Sequence, residues 1–313
     1  MKLRLNPFKN MNSANNFHEV SYELHEKHHE ITGELSALQQ SWFTEDTVDY
    51  WRHERFYKTI VPLLKHNTNA KWITIGDGRF GLDSIKLKKI EPALDILPTD
   101  ISPSSLEYAK QHGMITKYAR VNAEAIDFPD NSFDFAFCKE AYHHFPRPFL
   151  ALYEMLRVAK QAVIFIEPNE HYFKPLAGKW LKFLKNSIKK MIGKTVYHTD
   201  HWHYETVGNY IYSMSKREIE KVALGLNYPA IAYQYLNDYY EEGVEFGKKE
   251  NNSKIFRRIK NKIKMNNIKC KLGLNVYSNI VVVIFKKMPD KILTEELRSS
   301  GFTVSELPQN PYV

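Results

Sequence analysis

The spacing of apolar residues changes along the chain, and the changes mark its elements. Residues 1–40 are polar, with Asn and His clusters, and read as a loosely held lead-in with some helix. Between residues 45 and 66, Val48, Trp51, Phe56, Ile60, Leu63 and Leu64 form a rough stripe that predicts one helix. Short β-rich runs then alternate with helical stretches. Strands are predicted at Trp72–Ile75, Leu94–Thr99, Tyr118–Val121, Phe133–Cys138 and Ala162–Glu167, and helices at Ser84–Ile90 and Leu150–Val158. Another helix follows Leu94–Thr99, with Ser102 as N-cap, Pro103 in the first turn and Gly113 as the stop. The unbroken apolar run of the fifth strand suits a strand covered on both faces. Strand–helix alternation of this kind predicts a parallel α/β sheet.

After Pro168 the alternation breaks. Residues 170–212 read as an insertion, Lys216–Leu224 as a helix, and Ala230–Tyr235 and Ile280–Phe285 as two further strands. Leu293–Ser299 reads as a terminal helix. The expected organisation is an extension (1–45), a core (46–169 and 213–290), a cap (170–212) and a tail (291–313), with a basic insertion at 241–276 inside the core.

Composition narrows the class. With 313 residues, 43% hydrophobic and 13% aromatic, the chain can bury a sizeable core. Ile280–Phe285 is far too short to span a bilayer, and the basic start "MKLRLNPFKN" lacks the apolar stretch of a secretory signal. Cys138 and Cys270 offer no disulfide framework, so a reducing cytoplasm is the default compartment. The net charge of +8 is local: residues 173–194 and 248–271 carry +7 and +9, leaving the remainder at −8. "KPLAGKWLKFLKNSIKKMIGK" is amphipathic, as expected of a lid helix or of one lying on an anionic membrane. The second basic segment allows contact with phosphate groups, lipid or nucleic acid, but contains no recognised RNA module.

Chemistry concentrates at "WITIGDGRFGLD", where Gly76–Gly81 spell G-x-G-x-x-G after a strand and before a helix. Asp100 follows Gly76 by 24 residues, where an acid can accept from ribose hydroxyls. To this point nicotinamide and other adenosine cofactors fit equally. Asp77 separates them. A pyrophosphate on this loop would face that carboxylate, and one like-charge pair at roughly 4 Å and an effective dielectric near 20 costs about 4 kcal/mol. S-adenosylmethionine carries no phosphate and has a cationic sulfonium and an ammonium. Tyr212–Lys216 also spells Y-x-x-x-K, a pair used by short-chain dehydrogenases. Ser213 and Ser215 before a helical run read more simply as capping.

Residues 72–168 resemble class I S-adenosylmethionine-dependent methyltransferases, in particular the small-molecule group typified by ubiquinone and menaquinone C-methyltransferases. The resemblance rests on "TIGDGRFG", "PTDISPSSLEYAK", "VNAEAIDFPDNSFDFAF", "KEAYHHFPRPFLALYEMLRVAK" and "AVIFIEP", in that order. Thr74 stands where an acid is common, Phe80 where a third close glycine is common, and Asn122 where an aspartate is usual. The resemblance implies an α/β, Rossmann-like seven-stranded sheet, mostly parallel with an antiparallel last strand, helices on both faces and a helical cap. It implies that Gly76, Asp77 and Gly78 face the methionine part of the cofactor. Asp100 would bind the ribose diol, Ile101 pack on adenine, and Asn122, Ala123 and Glu124 form the adenine edge. Lys139 would lie at the cofactor end of the fourth strand.

Glu140, His143 and His144 follow as residues lining the transfer site or acting as a base, although "HHF" also orders a helix start. In the insertion, "YHTDHWHYE" offers His201 and His203 as acceptor-pocket residues or bases. The spacing H-x-x-H-x-H is not an established zinc pattern, so no metal is expected. The expected function is methyl transfer to oxygen or nitrogen of a small molecule, with a sugar or lipid-linked glycan intermediate as one class. Rival readings are a non-catalytic binding protein docking on nucleic acid or membrane, and an RNA methyltransferase. The sequence leaves the oligomeric state open.

Overall fold

The computed structural model describes residues 17–312, apart from residue 32 and most of 171–208, where only 175–178, 180, 187 and 204 are described. Most of the expected cap, with His201 and His203, therefore lies outside the described residues. The helices before the sheet are α1 (Phe17–His28), α2 (Ala37–Ser41), α3 (Val48–Tyr57) and α4 (Val61–His66). Then follow β1 (Lys71–Ile75), α5 (Leu82–Ile90), β2 (Asp95–Asp100), α6 (Ser104–Gln111), β3 (Ala119–Arg120), β4 (Phe133–Lys139), α7 (Pro148–Val158) and β5 (Ala159–Pro168). The last part holds α8 (Lys216–Gly225), β6 (Ala230–Leu236), α9 (Lys254–Lys271), β7 (Asn279–Phe285), α10 (Lys291–Ser299) and β8 (Thr303–Glu306).

One sheet runs in the order β3-β2-β1-β4-β5-β7-β6-β8. The first five strands are parallel, and β7 is antiparallel to both β5 and β6. The fold is therefore the expected Rossmann-like α/β sheet with helices on both faces. Alternation along the strands divides the core in two. Val163 and Phe165 of β5 face α7 and α8, packing with Leu152, Met155, Ile219 and Ala223. Ala162, Ile164 and Ile166 face the other way, toward Phe56, Ile60 and Leu63 of the α3–α4 region and Leu297 of α10. Every residue of β7 is buried, which explains its continuous apolar run.

Four details depart from the sequence reading. The sheet has eight strands, not seven, because β8 adds to β6 in antiparallel register from Ala230↔Glu306 to Tyr233↔Thr303. This edge strand is four residues long with no buried side chain of its own. Its anchors, Phe302 and Leu307, lie outside it, so alternation within the strand carries little signal. Residues 291–313, expected as a tail, thus supply a core helix and a strand. The helix expected at 45–66 is broken by a 3-10 turn at Lys58–Ile60, and Pro62 opens α4, where its missing N–H costs nothing. Finally, α6 starts at Ser104 with no side-chain cap. Ser102 is not its N-cap; its N–H donates to Asp100 Oδ1 (2.8 Å).

If α10 is part of the core, Leu297→Ala should destabilise the protein by about 2–5 kcal/mol in urea unfolding. A change below about 0.5 kcal/mol would return residues 291–313 to the status of a loose tail.

Candidate functional site

The loop after β1 is held by close contacts that only glycine permits. At Gly76 (φ +78°) a Cβ would lie 2.4 Å from the Ala141 Cβ, and at Gly78 it would lie 2.6 Å from Asp100 Oδ2. The loop backbone therefore touches both the turn after β4 and the end of β2. Asp77 does not face outward as expected; it is buried. Its carboxylate accepts from the backbone N–H groups of Asp83 and Ser84 (both 3.0 Å), from Ser84 Oγ (2.7 Å) and from Thr74 Oγ1 (2.9 Å). It thus occupies the free amides at the start of α5, where a dinucleotide's phosphate would otherwise bind. Burial, with the Asp83 carboxylate nearby, pushes its pKa up to about 8. Thr74, standing where the resemblance expects an acid, is the buried hydroxyl that steadies Asp77.

Phe80 is also in a left-handed conformation (φ +59°) and fully buried. Its ring packs edge-on against Phe43 and Tyr108 and lies near Trp42, while the Arg79 guanidinium lies 5.0 Å from the Trp42 ring. Phe80 therefore fastens the segment after α2 to the loop.

Above the C-terminal ends of β1, β2 and β4 lies a first cavity of about 280 Å³. Its lining includes Gly76, Gly78, Asp100, Ile101, Asn122, Ala123, Glu124, Glu140 and His144, so nine of the expected residues come together. Helix α1 forms its roof with Ser21, Tyr22, His25 and His28. Asp100 is buried and pushed up to about 6 by burial, against the opposing effect of hydrogen bonds from the Ser102, Gly78 and Ile101 amides. Asn122 Oδ1 accepts from the Glu124 N–H (2.9 Å). Glu124 is itself held by Arg147 (Nε to Oε2, 2.6 Å) and by the Tyr22 hydroxyl, so it clasps α1 rather than presenting a free carboxylate. Asn209, near the end of the expected insertion, bonds both Ser21 of α1 and the His144 carbonyl.

A second cavity of about 350 Å³ lies between α3 and α5 and shares Gly76, Arg79 and Glu140 with the first. Trp42, Tyr50 and Tyr57 line it, with Asp49, His53, Asp77, Asp83, Lys86 and Lys139 among its polar groups. Lys139 thus belongs here and does not line the first cavity. Its ammonium lies 2.6 Å from Glu140 Oε2 and 3.0 Å from His53 Nδ1. Glu140 adopts φ +51°, a strained conformation for a side chain of this size. Burial raises its pKa, but Lys139 and His53 outweigh that and hold it well below the usual carboxylate range. For His53, burial and Lys139 lower the pKa, while Glu140 and Asp49 raise it further, for a net rise.

His143 lines neither cavity. Its Nδ1 lies 2.6 Å from Glu167 Oε2, and Glu167 Oε1 accepts the Ala141 and Tyr142 amides (2.9 and 3.0 Å). This arrangement fixes the turn after β4. Tyr212 and Lys216 of the Y-x-x-x-K pattern lie outside both cavities. No group of three or more His, Cys, Asp or Glu among the described residues is placed to hold a metal ion. Sequence reasoning missed Asp49, His53, Tyr57 and Asp83. Their roles arise from packing α3 against α5, and their only linear trace is the polar face of an amphipathic helix.

Residues 75–166 match the model of a family described as a methyltransferase domain. With the strand order and loop above, the segment is a class I S-adenosylmethionine-dependent methyltransferase domain. The match is to the class and does not single out the quinone group. No curated protein matches the chain. Among solved structures the chain is similar to YcgJ of Bacillus subtilis (16% identity, TM-score 0.43, covering 74% of this chain and 100% of that one). It is also similar to magnesium protoporphyrin IX methyltransferase of Synechocystis PCC 6803 with bound SAH (12%, 0.42, 86% and 96%). A third is an S-adenosylmethionine-dependent methyltransferase of Archaeoglobus fulgidus (14%, 0.43, 74% and 94%).

Asp77→Ala should cost about 2–4 kcal/mol in urea unfolding at pH 6, because it strands the α5 amides, and Asp77→Asn should cost less. Folding raises the Asp77 pKa, so its contribution is complete below about pH 4 and is lost as pH climbs through 8. The margin of wild type over Asp77→Asn should therefore shrink between those values. A margin that grows with pH would contradict this placement.

Proposed function

We propose that the first cavity holds S-adenosylmethionine and that the second receives a small molecule methylated on oxygen or nitrogen. Glu140 carries this reading, because it lies at the junction of the two cavities. The residues present suit the cofactor. Gly76 and Gly78 keep the floor bare for the methionine part, and Asp100 offers buried carboxylate oxygens to the ribose diol. Ile101 lies where adenine would pack, with Asn122 and Ala123 at its edge. Asp77, having taken the α5 amides, leaves no phosphate site. When bound, the cofactor supplies a methyl group on a cationic sulfonium.

The chain's own part is to align, exclude water and move one proton. Glu140 stays ionised and favours cationic character where the cavities meet. His53, made more basic by Glu140 and Asp49, is placed to take the proton that an attacking hydroxyl or amine must lose. Trp42, Tyr50 and Tyr57 give flat faces suited to a sugar or other ring. The narrow chamber between two helices favours a small acceptor over a polynucleotide.

Cofactor affinity should weaken several-fold between pH 7.5 and pH 5, as Asp100 gains its proton near 6 and loses an acceptor. Calorimetry with S-adenosylhomocysteine checks this: Asp100→Asn should bind about tenfold more weakly at pH 7.5 and lose the dependence. Unchanged affinity in Asp100→Asn would refute the site. For the acceptor, the enzyme with methyl-labelled cofactor should label a small-molecule or lipid extract of cells. His53→Gln should reduce that labelling at least tenfold while leaving S-adenosylhomocysteine affinity within twofold. Label confined to RNA would overturn the reading.

A further inference from the structure

Helix α9 carries two apolar stripes, and only one of them has a partner. Phe256, Ile259 and Ile263 are buried against Val48 of α3 and Val244, with Trp51 edge-on to Phe256 at 5.0 Å. That stripe explains why the helix is held to the body. Met265, Ile268 and Leu272 recur at i, i+3 and i+7 and share the opposite ridge. They are 51%, 43% and 66% exposed. Lys264 and Lys271 flank the ridge on one side, Lys262 and Lys269 on the other, and α9 contains no acid. Of the exposed cations of α9, Arg258 is paired with Glu241. Lys264, Lys269 and Lys271 have no carboxylate partner among the described residues.

A second exposed apolar group stands beside it. A Cβ on Gly178 would lie 2.4 Å from the Leu274 carbonyl oxygen, so the backbone at Gly178 packs against the chain just past α9. Leu176 and Trp180, in this turn, are 76% and 65% exposed. Segments almost 100 residues apart therefore meet and present large apolar side chains among lysines. Both leave the sheet at its functional edge. Strands β5 and β6 point the same way, since each is antiparallel to β7, and their C-terminal ends lie with those of β1 and β4.

We propose that this surface docks the protein on an anionic lipid bilayer, with the ridge of α9 and Leu176 and Trp180 entering the headgroup region. Large apolar side chains between rows of lysine suit the boundary between acyl chains and anionic headgroups. A nucleic-acid surface would use the lysines but gains little from Met265, Ile268 and Leu272. No helix among the described residues is long and apolar enough to cross a membrane, so the contact is peripheral. The inference does not depend on the acceptor, and its test needs no methyl transfer.

Flotation of the full chain at physiological salt, with phosphatidylcholine vesicles alone or with 30% phosphatidylserine, decides it. At least tenfold more protein should float with the anionic vesicles. Met265→Ser/Ile268→Ser/Leu272→Ser should lose most of that binding with S-adenosylhomocysteine affinity unchanged. Lys264→Glu/Lys269→Glu/Lys271→Glu should abolish it. Equal recovery with neutral and anionic vesicles, or no recovery of wild type, overturns the proposal. So does anionic binding that survives the serine substitutions undiminished, or retention on RNA without vesicle binding.

Discussion

The site depends on a carboxylate that turns inward. Asp77 accepts the first free amides of α5 together with the Thr74 and Ser84 hydroxyls, and so ties the end of β1 to the helix that follows. Because that tie lies beneath the loop, Gly76 and Gly78 present bare backbone to the first cavity. Gly76 can then touch Ala141, and Gly78 can touch Asp100. The end of β1, the start of α5, the turn after β4 and the end of β2 converge there, and the first cavity is the space above that convergence. The same tie makes the loop unsuited to diphosphates, through occupancy of the amides more than through simple repulsion.

From this fixed floor the walls follow. Phe80, forced into a left-handed conformation, fastens the segment after α2, and so brings Trp42 to the second cavity. Helix α1 closes the first cavity through Tyr22, Glu124 and Arg147, and through Ser21 and Asn209. Glu140, at a second left-handed position, stands where both cavities open toward one another. Two strained residues, both with side chains rather than glycine, thus mark the junction of the loop, the segment after α2 and the second cavity.

The sheet was legible because buried parallel strands are continuous apolar runs, and the glycine loop because close approach demands glycine. Asp100, Asn122 and Ala123 were legible by their order after that loop. The strand β8 was not, because an edge strand of four residues draws its anchoring from Phe302 and Leu307 outside it. Asp77 was located correctly but its direction was not, since only the α5 amides reveal which way it turns. His53 and Asp49 were invisible as a site: on α3 they look like a solvated face until Lys139 and Glu140 of the β4 end meet them. Lys139 lines the second cavity and not the first. Its side chain and that of Glu140 meet at 2.6 Å, and Glu140, just past β4 in a left-handed conformation, reaches both cavities while Lys139 reaches one.

The central claim is a division of labour between two cavities that meet at Glu140. A crystal structure with S-adenosylhomocysteine tests it directly. The account predicts the ribose against Asp100, adenine beside Ile101 and Asn122 beneath α1, and the amino-acid end reaching Gly76 and Glu140, with the chamber between α3 and α5 left open. A ligand seated between α3 and α5, away from Asp100, would contradict it.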